Sequence, residues 1–274
     1  MNPTITEHLF DIQDKVVIIT GGLGQLGRQF ALALTRLGAK VAIFDNKARK
    51  QGGPKNRFRD GARLKLFPID ITRKSSVISG LGRLNRVWGV PHALINNAAI
   101  DSPPNSSSKE SGPFERYPEK SWDKVIDVNL KGVFLACQII GTQMAQAERG
   151  SIINTGSIYG LVSPDQRIYQ HRSKNGNPFF KPVAYSASKS GLLNLTRYLA
   201  TYWAKKNVRV NTLTLGGVLN HQDPKFLKGY AQRVPIGRMA REDEYNGAVI
   251  FLVSDASSYM TGSNLVIDGG WTTW

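Results

Sequence analysis

The stretch KVVIITGGLGQLGRQFALALTRLG, residues 15–38, decides the fold. Val16 to Ile19 form an apolar, β-branched run that Gly21 and Gly22 cut off, and the residues after it carry apolar side chains at helical spacing as far as Gly38. This reads as strand, tight turn and helix. That context raises the glycine pattern TGGLGQLG, residues 20–27, from a common repeat to a candidate dinucleotide-binding turn. Glycine lets the backbone turn sharply and approach a pyrophosphate, whose charge the amides at the helix start would meet. A glycine-rich turn with no ligand is the alternative.

Further apolar runs follow: AKVAIFD (39–45), RLKLFPID (63–70), HALINNAA (92–99), SIINTGS (151–157) and VRVNTLTL (208–215). Each has the composition of a strand covered on both faces. Helical stretches lie between several of them, including an amphipathic segment over 119–148 and AYSASKSGLLNLTRYLATYWAKK, 184–206. The alternation predicts an α/β fold, a single Rossmann-type doubly wound parallel sheet in three α/β/α layers with right-handed crossovers. One dinucleotide-binding domain over 1–274 is expected, since no repeat or interdomain linker is visible. Three stretches break the rhythm: a polar, proline-rich loop at 102–113 and insertions near 163–182 and 216–240. The last reads as a loop and short helices over the carboxyl edge of the sheet, where such folds bind ligands.

The 274 residues are 41% apolar and 20% charged, as in a globular protein, and carry a net charge of +16. Such an excess suits an anionic partner: nucleic acid, a phosphorylated metabolite or a membrane surface. Its clusters, at 46–65 and 166–181, are equally consistent with solvated faces. No nucleic-acid module is present and the clusters lack an array of stacking aromatics, so no nucleic-acid partner is expected. The one cysteine, Cys137 in VFLACQII, reads as a small buried thiol, and no metal-ligand spacing occurs. The amino-terminal stretch MNPTITEHLFDIQDK lacks a signal-peptide core, and no later run reads as long enough to span a membrane. A cytoplasmic protein with no membrane partner is expected.

Two further features bear on chemistry. In AYSASKSG, residues 184–191, Tyr185 precedes Lys189 by four positions, so both leave one helix face. A nearby ammonium would lower a phenol's pKa and make it a proton exchanger, whereas a surface aromatic beside a solvated lysine is the plain alternative. Asp45 closes the second strand, where a carboxylate can accept hydrogen bonds from an adenosine ribose and repel a 2′-phosphate. This favours NAD over NADP, with Lys47 and Arg49 placed to soften the preference.

From Lys15 onward the chain resembles the classical short-chain dehydrogenases/reductases. The resemblance rests on the glycine turn, Asp70 in PIDIT, NNAA at 96–99, Asn129 in DVNLKGVF, Ser157 in NTGSIYG, YSASK at 185–189 and GSNLVIDGG at 262–270. It implies Tyr185 as catalytic acid-base, Ser157 holding the substrate oxygen, Lys189 binding the nicotinamide ribose and depressing the tyrosine pKa, and Asn129 holding a relay water. Gly21, Gly24, Gln25, Leu26, Gly27, Asp45, Asp70, Ile71, Asn97, Ala98, Gly216 and Val218 would contact the cofactor, Asp70 at the adenine. Tyr159, Arg167 and Gly217 would join Ser157 and Tyr185 at the substrate. The implied activity is hydride transfer between nicotinamide and a secondary alcohol or ketone. The carboxyl-terminal half is similar to members linked to bacterial surface-sugar and flagellin-glycan synthesis, which points to a polar, sugar-like or phosphorylated substrate.

Gly24 gives the glycine spacing of the epimerase-like branch, so a sugar-nucleotide epimerase or dehydratase with tightly bound NAD stands as the alternative. A scaffold that only binds nucleic acid or a regulator is a remote third. The family also implies a homo-oligomer, a tetramer, with Tyr198, Tyr202 and Trp203 suited to the interface or, alternatively, to core packing within one chain. Ser157 precedes Tyr185 by 28 positions, more than is usual in the family. The insertion between them is expected to form a flap over the pocket mouth, with a tolerated surface insertion or an oligomer contact as the alternative. Arg167, His171, Arg172 and Lys174 would meet an anionic group there, and Tyr169, Phe179 and Phe180 would pack the flap down.

Overall fold

The computed structural model describes residues 8–49, 61–101, 108–173 and 177–274. Lys174, residues 50–60 of the basic run and residues 102–107 of the polar loop lie outside them, as does the side chain of Arg49. In chain order the strands are β1 (Val16–Thr20), β2 (Lys40–Asp45), β3 (Leu64–Pro68), β4 (Ala93–Asn96), β5 (Gly150–Thr155), β6 (Val208–Leu215) and β7 (Asn264–Ile267). They form one sheet in the order β3-β2-β1-β4-β5-β6-β7, with every neighbouring pair parallel. This is the doubly wound architecture expected from the alternating runs. The order reverses between β1 and β4, which opens a crevice at their carboxyl ends.

The helices cover both faces. α1 (Gln25–Arg36) and α6 (Asn246–Val253) bury Phe30, Leu34, Val249 and Leu252 against one face. The other face receives α2 (Lys74–Trp88), α3 (Glu119–Gln146) and α4 (Val183–Trp203), which bury Leu81, Leu84, Val133, Ile140, Leu192 and Trp203. A short α5 (Pro224–Ala231) lies in the stretch read as loop and short helices. Double coverage explains why β1 is buried at all five positions and reads as a continuous apolar run.

Two expectations are corrected here. At 28 residues α3 is long and apolar enough to cross a membrane by length and composition. Its apolar side chains instead pack into the sheet-side core, and it carries two π-helical turns, Asp127–Lys131 and Cys137–Gly141. Trp203 does not face an interface: it is 7% exposed and its ring would lie 2.5 Å from a Cβ built at Gly141. Cys137 is buried as expected, with burial pushing its thiol up to about 12.

Candidate active site

The glycine turn is shaped by close approach. Gly21 sits at φ +63°, and a Cβ there would lie 2.7 Å from the Ala98 Cα. At Gly27 an added Cβ would meet the Gly21 carbonyl at 2.5 Å and the Gly22 Cα at 2.7 Å, so this glycine lets α1 start against the turn. Thr20 Oγ1 accepts from the amides of Asn97 and Ala98, each at 3.1 Å, and Asn97 Nδ2 donates to the carbonyls of Thr20 and Gly21. The β1 turn and the NNAA segment are thereby one hydrogen-bonded unit. Along it runs a cavity of about 450 Å³ lined by Gly21, Gly24, Gln25, Leu26, Asp45, Asp70, Ile71, Asn97, Ala98 and Val218. Gly27 lies behind this wall, and Gly216 lines a neighbouring cavity of about 180 Å³ with Gly217.

Asp45 is only 8% exposed. Its carboxylate accepts from the Leu23 amide at 3.1 Å and the Lys47 amide at 2.9 Å, tying the end of β2 to the glycine turn. Asp70 accepts from the Thr72 amide and hydroxyl at 3.0 and 2.7 Å, while the N-cap position of α2 is Arg73. The cavity's glycine walls and amide-bearing turn at a helix start fit a dinucleotide, and the residues present match that group.

At the carboxyl end of β5, Ser157 and Tyr185 come together despite their separation in sequence. Ser157 adopts an extended backbone and caps a short 3₁₀ turn through the Tyr159 amide at 3.2 Å. Its hydroxyl lies near enough to the Tyr185 phenol to hold the phenol's pKa down in part. Lys189, 3% exposed, lies one turn along α4 with its Nζ 5.8 Å from the Tyr185 ring centroid, and donates to the Thr155 carbonyl at 2.7 Å. Burial lowers the ammonium's pKa to about 8. The phenol moves the other way from expectation: burial pushes it up to about 12, the nearby Ser157 hydroxyl opposes that only in part, and the Asp101 carboxylate adds to it. Desolvation dominates because the low-dielectric surroundings penalise the phenolate directly.

Asn129 is fully buried in the first π turn of α3. Its side chain accepts from the Ile100 amide and donates to the Ile100 carbonyl, both at 2.8 Å, and donates to Ser188 Oγ at 3.0 Å. Ser188 in turn donates to the Tyr185 carbonyl at 2.7 Å. Asn129 therefore clasps the strand-β4 loop to the tyrosine helix, and both its N–H donors are taken up in doing so.

The insertion folds down rather than standing off the surface. Its 3₁₀ turn, Gln166–Arg172, lies on α5, with Ile168 and Tyr169 buried beside Tyr230, Val234, Met239 and Trp271. Tyr159 and Tyr169 share a hydrogen bond of 2.8 Å between their hydroxyls. Arg167 is not brought to the tyrosine: its side chain is 75% exposed and held by Asp165, which also pairs with Arg233. Arg172 stacks 3.9 Å from the Phe179 ring centroid, and His171 turns back to the Ile168 carbonyl. Among the described residues of the insertion, Lys181 does reach the tyrosine: its Nζ lies 5.3 Å from the Tyr185 ring centroid and 2.7 Å from Asp101. Sequence reasoning missed it because it sits at the end of an aperiodic stretch, and missed Asp101 because only folding brings β4 beside it.

A family model described as enoyl-(acyl carrier protein) reductase, from the short-chain dehydrogenases/reductases, matches residues 24–272. The chain belongs to the short-chain dehydrogenase/reductase family. It is 32% identical over 273 residues to an NAD-dependent glycerol dehydrogenase of Listeria innocua, covering 96% of each protein. Its fold matches a short-chain dehydrogenase of Leptospira borgpetersenii with bound NAD+ at TM-score 0.84 and 32% identity, over 99% of this chain and 97% of that one. A gluconate 5-dehydrogenase of Burkholderia cenocepacia in complex with NADP and tartrate matches at TM-score 0.83 and 26% identity, over 98% and 99%. This short-chain dehydrogenase/reductase is thus an oxidoreductase dependent on NAD or NADP.

Proposed function

We propose that the protein is an NAD-dependent dehydrogenase/reductase of a secondary alcohol on a polyol or sugar-like substrate, with Tyr185 as acid-base. The observation that carries this is the meeting of Ser157, Tyr185 and Lys189 beside the glycine-walled cavity. A nicotinamide cofactor, when bound, supplies or accepts the hydride. The chain does the rest. In reduction the Tyr185 phenol, protonated at neutral pH, gives its proton to the carbonyl oxygen, while Ser157 donates a hydrogen bond to the same atom. Oxidation needs the phenolate, and the Lys189 ammonium favours that form. Asn129 holds the tyrosine helix to the loop after β4 and so keeps this geometry fixed.

The cofactor residues divide by task. Gly21 and Gly24 would admit a pyrophosphate, with Gly27 letting the helix start against their turn, Asp45 would select an unphosphorylated ribose, and Asp70 and Ile71 would flank the adenine end. Gly216 and Val218 would border the nicotinamide end. A sugar-like substrate would meet Ser157, Tyr185 and Gly217. Tyr159 supports the site through Tyr169, since its hydroxyl is already bonded there. Tyr198 and Tyr202, 63% and 67% exposed and stacked at 6.0 Å, give α4 an outward aromatic face, and Phe134 of α3 is 46% exposed. That exposed face supports a homo-oligomer, a tetramer, in which a second copy would cover it.

The test is spectrophotometric. Purified protein with NAD+ or NADP+ is offered glycerol, tetritols, pentitols, sugar acids and sugar phosphates, and reduced nicotinamide is followed at stoichiometry with product. Stoichiometric NADH is expected; interconversion of sugar isomers with no net NADH would support an epimerase instead.

A further inference from the structure

Asp101 and Lys181 lie outside every role assigned so far, yet their ion pair lies beside the Tyr185 ring. Asp101 directly follows Ile100, whose amide and carbonyl are both clasped by the buried Asn129. Its position is therefore set by the same residue that fixes the tyrosine helix. Lys181 closes the insertion, where its amide donates to Gln166 Oε1 at 2.8 Å. The two side chains pair at 2.7 Å, with the lysine 17% and the aspartate 50% exposed. The ammonium lies 5.3 Å from the Tyr185 ring centroid and 6.0 Å from that of Tyr169. The carboxylate is close enough that its field raises the pKa of Tyr185, of Tyr159 and of Tyr169.

We propose that Asp101 and Lys181 form the recognition pair for the hydroxyl groups next to the reacting carbon, and that they select a neutral polyol over a sugar acid or sugar phosphate. This rests on the reading of the chain as a polyol oxidoreductase and narrows its substrate class. A polyol hydroxyl both donates and accepts, so it gains one charge-assisted hydrogen bond from the carboxylate and a neighbouring hydroxyl gains one from the ammonium. An anionic substrate meets a different balance. The lysine's charge is already matched by Asp101, and the half-exposed carboxylate repels a second anion. Arg167 does not supply a replacement, because Asp165 holds it in solvent.

The experiment compares the wild-type enzyme with Asp101→Asn and Lys181→Met. Each is assayed on a pentitol, the matching aldonate and 2-butanol, a secondary alcohol with no second hydroxyl, and cofactor affinity is read by NADH fluorescence. The wild type is expected to prefer the pentitol to the aldonate. Each variant is expected to lower kcat/KM for the pentitol relative to 2-butanol by about tenfold or more, mostly through KM, with cofactor affinity retained. Asp101→Asn is further expected to improve the aldonate relative to the pentitol, because it unmasks the ammonium, an effect that a merely structural ion pair would not produce. A wild type that prefers the aldonate, or variants that lose pentitol and 2-butanol activity in equal proportion, would overturn the pair's role while leaving the oxidoreductase reading intact. A wild type that turns over no alcohol at all would sink both.

Discussion

Tyr185 and Lys189 show how little a four-residue spacing says about proton affinity. The spacing brings the two side chains to one helix face, but burial sets their titration, raising the phenol to about 12 and lowering the ammonium to about 8. Tyr185 is thus a phenol across the neutral range, the form that donates to a carbonyl. Alcohol oxidation, which needs the phenolate, is expected to rise with pH through neutrality while ketone reduction does not; kcat/KM profiles in both directions test this. Tyr185→Phe should lower turnover about 10²- to 10⁴-fold and leave cofactor affinity near wild type. Lys189 gives a stability signature as well. Between its folded value near 8 and the ordinary 10.5, the unfolded chain holds a proton that the folded chain has released, so wild-type stability grows as pH rises. Lys189→Met should therefore raise the thermal midpoint most below pH 8, and its advantage should vanish towards pH 10.5. A constant difference across that window would show that the buried charge is not the cause.

At the level of elements, Asp45 joins β2 to the glycine turn, so its replacement acts on two properties at once. Asp45→Ala is expected to lower the NAD to NADP preference and to destabilise the fold by about 1–3 kcal/mol, since the Leu23 and Lys47 amides lose their acceptor. A cofactor titration and a urea melt separate the two. The insertion also has a structural share in its own effect. Shortening residues 165–181 removes Ile168 and Tyr169 from beside Tyr230 and Trp271, so the thermal midpoint should fall together with a rise in substrate KM. Arg167→Ala, on an exposed side chain, should change neither by much.

For the whole molecule, the exposed stack of Tyr198 and Tyr202 on α4 is the face on which the proposed homo-oligomer would rest. Placing a charge there by Tyr202→Glu is expected to reduce the mass measured by light scattering at micromolar concentration, whereas the wild type should elute as a tetramer. A wild-type monomer would remove the interface from this helix face. The two π turns of α3 also belong to this scale, because one of them places Asn129 where it links the loop after β4 to α4.

Sequence alone determined the doubly wound sheet, because a strand buried on both faces must be apolar throughout and a glycine turn entering a helix admits few alternatives. It also singled out Ser157, Tyr185, Lys189 and the cofactor-cavity residues through the motifs that carry the resemblance. What it could not determine depends on distances between segments far apart in the chain. Arg167 and Lys181 are both basic residues of one aperiodic insertion. Only packing on α5 turned the first to solvent beside Asp165 and brought the second to Asp101 and the tyrosine. Trp203 and Tyr202 are adjacent aromatics of one helix, and the small Gly141 on α3 drew one inward and left the other exposed. The pKa of Tyr185 belongs to the same class: the lysine is legible four residues on, but the desolvation that raises the phenol comes from the surrounding tertiary structure.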